Sequence, residues 1–162
     1  MNICLYPGSF DPVTKGHVDI IERAGNIFDK VIVGVLKNFD KKSCFSIEKR
    51  VGYIRKSTNH IPNIEVHAFE GLTADFAQKI NAKFMVRGLR TMADFEYEFR
   101  VASVNNYLAP GIESVFLMTN QKYAHISSSI VRQIGVLKGD ISGLVPAEIL
   151  DELKTDLILL DG

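Results

Sequence analysis

Short apolar runs alternate with stretches of helical periodicity along the whole chain of 162 residues. The apolar runs predict strands, because they are rich in β-branched residues and bounded by turn-forming residues. Apolar residues that recur every three or four positions predict helices between them. Strands are predicted at Ile3 to Tyr6, Lys30 to Lys37, Ile64 to His67, Phe84 to Arg87 and Glu113 to Met118. Helices are predicted at about 17–28, 46–56, 72–80, 91–108, 127–137 and 146–160.

This alternation predicts an α/β fold with a doubly wound, five-stranded parallel sheet. No repeat or linker divides the chain, so we expect a single domain over residues 1–162 that includes the closing helix at about 146–160. In such sheets, ligands bind beyond the carboxyl ends of the strands, near the point where the strand order reverses. The loops after Tyr6, Lys37, Arg87 and Met118 are therefore the candidates for a binding site.

Composition narrows the possible partners. Nineteen basic and nineteen acidic side chains cancel, so no overall field favours nucleic acid or an anionic membrane. The longest apolar runs are far shorter than the ~20 residues that cross a bilayer, and the N-terminus lacks the basic region of a signal peptide. The cysteines, Cys4 and Cys44, form no disulfide or metal pattern. We expect a cytoplasmic protein with no nucleic-acid or membrane partner and no metal-binding side-chain cluster.

The loop after the first predicted strand carries residues suited to a phosphate. Gly8 allows a sharp bend, and Ser9 offers a hydroxyl and an amide at the strand end. Gly16 and His17 open the next helix, where free amides and the positive dipole end favour an anion. A histidine there can donate a hydrogen bond to a phosphate oxygen. The glycine signatures of dinucleotide oxidoreductases and P-loop kinases are absent from the sequence.

The other three loops add cations and hydroxyls. Lys41 and Lys42 follow the second predicted strand, and their spacing alone does not choose between them. Arg87 and Arg90 surround a glycine at a strand end, and guanidinium groups bind phosphate in bidentate fashion. Three hydroxyls at Ser127 to Ser129 open a later helix, an arrangement suited to a polyphosphate. Together the four loops indicate nucleotide handling.

Several of these segments resemble a known family. Thr14 to His17 matches the (H/T)-x-G-H signature of the nucleotidyltransferase superfamily related to class I aminoacyl-tRNA synthetases, and Ile126 to Ser129 with Arg132 resembles its second signature. Over nearly the whole chain, four further segments are similar to the bacterial phosphopantetheine adenylyltransferase family: Tyr6 to Pro12, Arg87 to Arg90, Asp94 to Glu98 and Glu113 to Leu117. The first signature alone marks only the superfamily, whereas the set is specific to this family. The resemblance implies a Rossmann-like nucleotidyltransferase fold.

Members of that family transfer the adenylyl group of ATP to 4′-phosphopantetheine, giving dephospho-coenzyme A and pyrophosphate in coenzyme A biosynthesis. The resemblance therefore implies a reversible transfer by direct in-line attack, without a covalent intermediate. It also implies Mg²⁺ as the cofactor, held mainly by phosphates rather than by protein ligands. A homo-oligomer, as a hexamer, is implied as well.

The resemblance assigns roles to particular residues. The implied catalytic residues are His17, as the transition-state stabiliser, Lys41 and Arg90. The implied ATP site consists of Ser9, Phe10, His17, Gly88, Leu89, Arg90, Glu98, Tyr123, Ala124, His125, Ile126, Ser127, Ser128 and Ser129. The implied contacts with phosphopantetheine are Ser9, Lys41, Thr73 and Arg87. Register against the family favours Lys41 over Lys42.

Two other functions stay open on the sequence. One is a related nucleotidyltransferase that acts on a sugar or alcohol phosphate, nicotinamide mononucleotide or riboflavin phosphate; the arginine loop at 87–90 and the acidic run at 94–98 argue against it. The other is a non-catalytic nucleotide-binding regulator, which would not need the intact signature at 14–17. Independently of both, the predicted helix at 91–108 is apolar on two faces, which predicts self-association.

Overall fold

The computed structural model describes residues 1–37 and 43–160. Over these residues the chain forms one five-stranded sheet, entirely parallel, in the order β3-β2-β1-β4-β5. The strands are β1 (Ile3–Gly8), β2 (Lys30–Leu36), β3 (Ile64–Phe69), β4 (Phe84–Leu89) and β5 (Glu113–Met118). The helices are α1 (Lys15–Ile27), α2 (Ile47–Thr58), α3 (Thr73–Lys79), α4 (Met92–Leu108), α5 (Ser128–Val136) and α6 (Leu150–Leu159), with short 3₁₀ helices at Gln121–Tyr123 and Ala147–Ile149.

Buried side chains pack on both faces of the sheet, because successive strand residues point in opposite directions. Cys4 and Tyr6 of β1 belong to a larger hydrophobic cluster, whereas Leu5 between them belongs to a smaller one. Residues of α1, α2, α5 and α6 complete the larger cluster, and Ala74 and Ala77 of α3 join the smaller one. Helices on both faces confirm the predicted doubly wound α/β fold.

The strand order reverses between β1 and β4, at the centre of the sheet. The chain runs outward from β1 to β2 and β3, then returns to place β4 on the other side of β1. Among the described residues, β1 and β4 pair only at Cys4↔Phe84 and Leu5↔Met85, whereas β1 pairs with β2 as far as Gly8↔Val35. The carboxyl halves of β1 and β4 therefore do not pair with each other, and this opens a crevice where the strand order reverses.

Several element ends differ from the sequence prediction by a few residues. Pairing with β2 extends β1 through Gly8, and pairing with β5 extends β4 through Leu89. The glycines at 8 and 88, expected in loops, therefore lie within strands. The closing helix, predicted as one element at 146–160, begins with the 3₁₀ turn and becomes α-helical at Leu150. None of the helices in the described ranges is long and apolar enough to span a membrane.

Helix α4 is poorly covered by the rest of the chain. Phe95 packs on Phe116 of β5 with ring centroids 5.8 Å apart, and Asn105 donates to the Met85 sulfur at 3.4 Å, so one side of the helix lies on the sheet. Within the described part of the chain, however, no α4 residue is buried. Its large exposed apolar side chains are Met92, Phe95, Tyr97, Phe99, Val104, Tyr107 and Leu108. The helix thus presents a second apolar face outward.

Candidate active site

A cavity of about 270 Å³ lies in the crevice between the carboxyl ends of β1 and β4. Residues from the loop after β1, the first turn of α1, the end of β4, helix α4 and the start of α5 line it. The predicted site residues among them are Phe10, His17, Arg87, Gly88, Arg90, Glu98, Ile126, Ser127 and Ser128. The structure therefore brings together residues that are more than 100 positions apart in the sequence.

Other predicted residues do not line this cavity. Those within the described ranges are Ser9, Leu89, Tyr123, Ala124, His125, Ser129 and Thr73. Ser9 and Leu89 directly adjoin residues that do line it. Thr73 begins α3, which packs on the smaller hydrophobic cluster. Lys41 and Lys42 lie outside the described residues, so their predicted roles stay predictions.

A larger groove, of about 740 Å³, lies between α2 and the edge strand β3. Side chains such as Arg55 and His67 line it, and none of the predicted site residues in the described ranges does. The groove runs beside an edge strand, whereas ligands of doubly wound sheets bind at the carboxyl ends of the strands near the switch point. We therefore take the cavity between β1 and β4 as the candidate functional site.

His17 is held by the residue that caps its own helix. The backbone N–H of Thr14, the N-cap of α1, donates to His17 Nδ1 at 3.0 Å, and Thr14 Oγ1 accepts from the His17 N–H at 3.3 Å. This is a capping box in which histidine takes the place of the usual Glu or Gln. Because Nδ1 accepts a hydrogen bond, the neutral ring carries its proton on Nε2. His17 is thereby fixed as a donor at the positive end of the helix.

Burial keeps the His17 ring neutral. It lowers the pKa of His17 from its ordinary value of 6.5 to about 4, and the positive charge of Arg90 acts in the same direction. The Phe10 ring meets the imidazole edge-on, with centroids 5.1 Å apart. A neutral Nε2–H group can stabilise an anion by hydrogen bonding without first taking up a proton.

The loop between β1 and α1 is strained at Phe10. This residue has a φ of 47°, in the left-handed region that non-glycine residues rarely adopt. Its ring is buried against Gly8, where an added Cβ would lie 3.0 Å from a ring carbon. Glycine at position 8 therefore allows the Phe10 ring to lie directly on the end of β1.

Side chains from α2 and α5 hold the carbonyl groups of this loop. Arg50 Nη1 donates to the Ser9 carbonyl at 2.8 Å, Arg132 donates to the Asp11 carbonyl, and Ser128 Oγ donates to the Pro12 carbonyl at 2.7 Å. Ser128, predicted to contact a polyphosphate, thus also has a bond within the protein. The sequence did not single out Arg50, because an arginine on an amphipathic helix normally faces solvent.

Arg87 is fixed in orientation by a two-pronged ion pair with Glu98. Its Nε and Nη2 donate to the two Glu98 oxygens at 2.5 and 2.6 Å, and Nη1 donates to the Pro7 carbonyl at 3.0 Å. Burial disfavours the charge on Arg87, but the hydrogen bonds and negative charge of Glu98 outweigh it and raise the pKa of the guanidinium. The sequence indicated each residue separately, and only the fold shows them as partners.

Arg90 joins α4 to the segment before α5. Its Nε donates to Asp94 Oδ2 at 3.1 Å, and Nη1 donates to the Ile126 carbonyl at 3.0 Å. Asp94 is thus the anionic partner of Arg90. Each arginine at the cavity is paired with a carboxylate of α4.

The serines that open α5 are engaged within the protein. Ser127 is the N-cap of the helix and accepts from the Ile130 N–H at 3.2 Å. Ser128 bonds the loop after β1, as described above, and Ser129 is exposed and accepts from Arg132 at 3.5 Å. Ser127 and Ser128 line the cavity at the positive end of α5. The predicted contact of all three hydroxyls with a polyphosphate stays a prediction.

The chain is similar to known proteins both in sequence and in fold. The cytidylyltransferase-like family model matches residues 5–134, a range that includes every segment lining the cavity. The crystal structure of a putative nicotinate-nucleotide adenylyltransferase from Vibrio parahaemolyticus is similar, with a TM-score of 0.72 over 98% of this chain and 93% of that one. At 17% sequence identity this structural similarity is evidence for the fold alone, and it confirms the Rossmann-like nucleotidyltransferase fold.

Several relatives are much more similar to this chain in sequence than the Vibrio parahaemolyticus protein is. The phosphopantetheine adenylyltransferase of Clostridium botulinum (strain Eklund 17B / Type B) is 54% identical over 153 residues, which cover 94% of this chain and 96% of that protein. The phosphopantetheine adenylyltransferase of Clostridium tetani (strain Massachusetts / E88) is 51% identical with the same coverage. The chain therefore belongs to the cytidylyltransferase-like family and, within it, to the phosphopantetheine adenylyltransferases.

Proposed function

We propose that this protein transfers the adenylyl group of ATP to 4′-phosphopantetheine, forming dephospho-coenzyme A and pyrophosphate, in coenzyme A biosynthesis. The observation that carries the proposal is the convergence of His17, Arg87 and Arg90 on one cavity at the switch point of the sheet. The family to which the chain belongs names the reaction and its two substrates. Because the reaction consumes cellular ATP, we place the enzyme in the cytoplasm.

The reaction requires two anions to be held together rather than a nucleophile to be created. A phosphate oxygen of phosphopantetheine attacks the α-phosphorus of ATP in line, and the bond from that phosphorus to the bridging oxygen of pyrophosphate breaks. The attacking oxygen already carries a negative charge, so neither a general base nor a covalent intermediate is needed. Positioning and electrostatic stabilisation therefore supply the rate enhancement.

His17 contributes a fixed hydrogen-bond donor. With Nδ1 bonded to the Thr14 amide, Nε2–H is the group available to the charge that develops on the α-phosphate. The pKa of about 4 means that the ligand-free enzyme holds this ring neutral at physiological pH. Its contribution is thus stabilisation of the transition state and not proton transfer.

The arginines supply oriented positive charge. Arg87 uses three of its five N–H groups on Glu98 and Pro7, which leaves the others in a known plane for the phosphate of the acceptor. The resemblance assigns Glu98 to the ATP site, and its hydrogen bonds with Arg87 support a role in holding that guanidinium. Arg90 bonds both α4 and the Ile126 carbonyl, which suits it to the triphosphate between these elements. Lys41, which follows β2 in the sequence, is proposed to contact the acceptor phosphate.

Mg²⁺ is proposed as the cofactor, held mainly by the substrate phosphates. No group of three or more His, Cys, Asp or Glu side chains within residues 1–37 and 43–160 is arranged to hold a metal ion. The carboxylates at the cavity, Asp94 and Glu98, are each engaged by an arginine. Mg²⁺ commonly binds through phosphates and waters with few protein ligands, so the phosphates of the substrates would be its main ligands here. When bound, the ion offsets the negative charge of the phosphates.

We also propose that the protein assembles with copies of itself, as a hexamer, through the exposed face of α4. The apolar side chains there would stabilise the monomer little, since they remain in water. A second copy of the chain offers the same apolar face, and such self-complementary contacts are usual in symmetric assemblies. The hexamer is the assembly that the family resemblance implies.

The reaction itself is tested by pyrophosphate release from ATP with 4′-phosphopantetheine as acceptor. We expect release to depend on this acceptor and on added Mg²⁺, and to cease with a chelator. Nicotinamide mononucleotide, riboflavin phosphate, an alcohol phosphate and no acceptor serve as comparisons. Release with one of these instead would identify a related nucleotidyltransferase, and ATP binding without release from any acceptor would favour a regulator.

The role of His17 predicts a defect in turnover rather than in binding. We expect His17→Ala to lower kcat by roughly 10²–10³-fold, the cost of losing one preorganised donor to a developing anion. Calorimetry should find the Kd for ATP changed only a few-fold. His67→Ala, which removes a half-exposed ring on β3, is the matched control. Weak ATP binding with normal turnover of the bound substrate would contradict this role.

The lowered pKa of His17 predicts the titration of its ring. In the ligand-free protein, the imidazole NMR signals that are lost in His17→Ala should stay at their neutral positions from pH 8 to about 5, and then shift with a midpoint at about 4. In the unfolded chain the same group takes up a proton at about 6.5. This difference destabilises the folded state as the pH falls from about 6.5 to about 4. A midpoint near 6.5 in the folded protein would show that the ring is not desolvated.

The assembly proposal predicts a mass measurable by light scattering at micromolar concentration. We expect the wild-type mass to be six times that of the chain. Val104→Glu combined with Tyr107→Glu should reduce the mass, because these side chains are exposed on α4 and their replacement puts charge into the proposed contact. Leu137→Glu, at an equally exposed apolar position after α5, should leave the mass unchanged. A monomeric wild type would overturn the proposal.

A further inference from the structure

Arg50 of α2 is almost completely buried, with 2% of its surface exposed. Its Nε donates to the Phe45 carbonyl at 3.1 Å, and its Nη1 donates to the carbonyls of Ser9 at 2.8 Å and Leu36 at 3.0 Å. These carbonyls belong to three segments: the loop after β1, the end of β2 and the residues leading into α2. One guanidinium thus joins the loops at the carboxyl ends of two neighbouring strands.

Asp11 completes this connection from the other side. Its carboxylate accepts from the backbone N–H groups of Cys44 at 2.8 Å and Phe45 at 3.0 Å. The backbone of Phe45 is therefore held at its N–H by Asp11 and at its carbonyl by Arg50. Burial lowers the pKa of Arg50, and the nearby negative charge of Asp11 opposes that effect. Arg50 keeps its charge, because a guanidinium is not deprotonated in proteins.

The hydrogen bond from Arg50 to the Ser9 carbonyl constrains Phe10, the strained residue of the loop. Phe10, with its φ of 47°, is flanked by two held carbonyls, that of Ser9 by Arg50 and that of Asp11 by Arg132. A strained backbone conformation persists only where surrounding contacts determine it. The C=O and N–H of a trans peptide point in opposite directions, so the bond to the Ser9 carbonyl also sets the direction of the Phe10 N–H.

We propose that Arg50 is a positioning residue for adenylyl transfer. By holding the Ser9 carbonyl it sets the conformation of Ser9 and Phe10, the residues of this loop assigned to ATP. It acts through the loop and touches no substrate. The inference rests on the proposed function, because it assumes that the loop after β1 binds the nucleotide.

The variants Arg50→Met and Arg50→Lys test this role. Methionine keeps an unbranched apolar stem, whereas lysine keeps the charge but cannot donate to three carbonyls in a planar array. Tyr53→Phe is the matched control on the same helix, since the buried Tyr53 hydroxyl donates to Asp156 of α6 and not to the loops of the site. Each variant is compared by kcat, by the KM for each substrate, by the Kd for ATP and by its unfolding midpoint.

We expect both Arg50 variants to lose about 10²-fold in kcat/KM, the usual scale for reacting groups displaced by about 1 Å. A raised KM and a raised Kd for ATP should form part of that loss. Tyr53→Phe should lower the unfolding midpoint while leaving the kinetic constants at wild-type values. That separation would distinguish positioning from a general loss of stability.

Several outcomes would overturn the proposal. One is that folded Arg50 variants keep the wild-type kcat/KM. Another is that Arg50→Lys alone keeps the wild-type kcat/KM, which would show that only the charge matters. Kinetic losses matched by Tyr53→Phe would reduce Arg50 to a stabilising residue, and failure of both variants to fold would assign it to the fold instead of the site. If wild-type enzyme releases no pyrophosphate, the proposed function fails, and the Kd for ATP alone then decides whether Arg50 positions a nucleotide-binding loop.

Discussion

The site depends on how little β1 and β4 pair with each other. Their ladder is confined to Cys4↔Phe84 and Leu5↔Met85 among the described residues, so the two strands separate toward their carboxyl ends. The Pro7 carbonyl on β1 then accepts from the Arg87 side chain on β4. The reversal of strand order thus leaves a cavity between β1 and β4. The side chains that line it already present hydrogen-bond donors in fixed orientations. The placement of His17, of the arginines and of the start of α5 follows from this opening.

Charge at the cavity is organised by one helix. Asp94 and Glu98, both on α4, pair with Arg90 and Arg87, so the arginines are held in place before any anion arrives. Such preorganisation would lower the cost of ordering these side chains on binding of a polyphosphate. The same helix exposes apolar side chains on its outer face. A contact between copies on that face would therefore support the element that orients the arginines.

Much of the architecture could be predicted because strands and helices leave distinct periodicities. The apolar run at Lys30 to Lys37 predicted a strand, and residues 31–35 of β2 are buried. The helix-start histidine was also accessible to prediction, since helix N-termini favour anions whatever the rest of the fold. Hydrogen bonds between residues far apart in the sequence could not be predicted in this way. Nothing in the spacing of Arg50 distinguishes it from a solvent-facing arginine, and its bonds to Ser9 and Leu36 exist only after β1, β2 and α2 have packed.

By itself, the sequence determined the alternation of strands and helices, the loops that carry candidate phosphate-binding groups and the family resemblance, because these depend on residue type and local spacing. Only the tertiary structure decided that Thr14 sets the tautomer of His17, that Glu98 orients Arg87 and that Arg50 holds the loop after β1. Burial, which lowers the pKa of His17, is likewise a property of the folded chain. The physical reason is that hydrogen bonding and desolvation depend on distances between segments, which local patterns do not contain. The loop after β1, which the sequence indicates as a candidate phosphate site, takes its conformation from contacts made by α2 and α5.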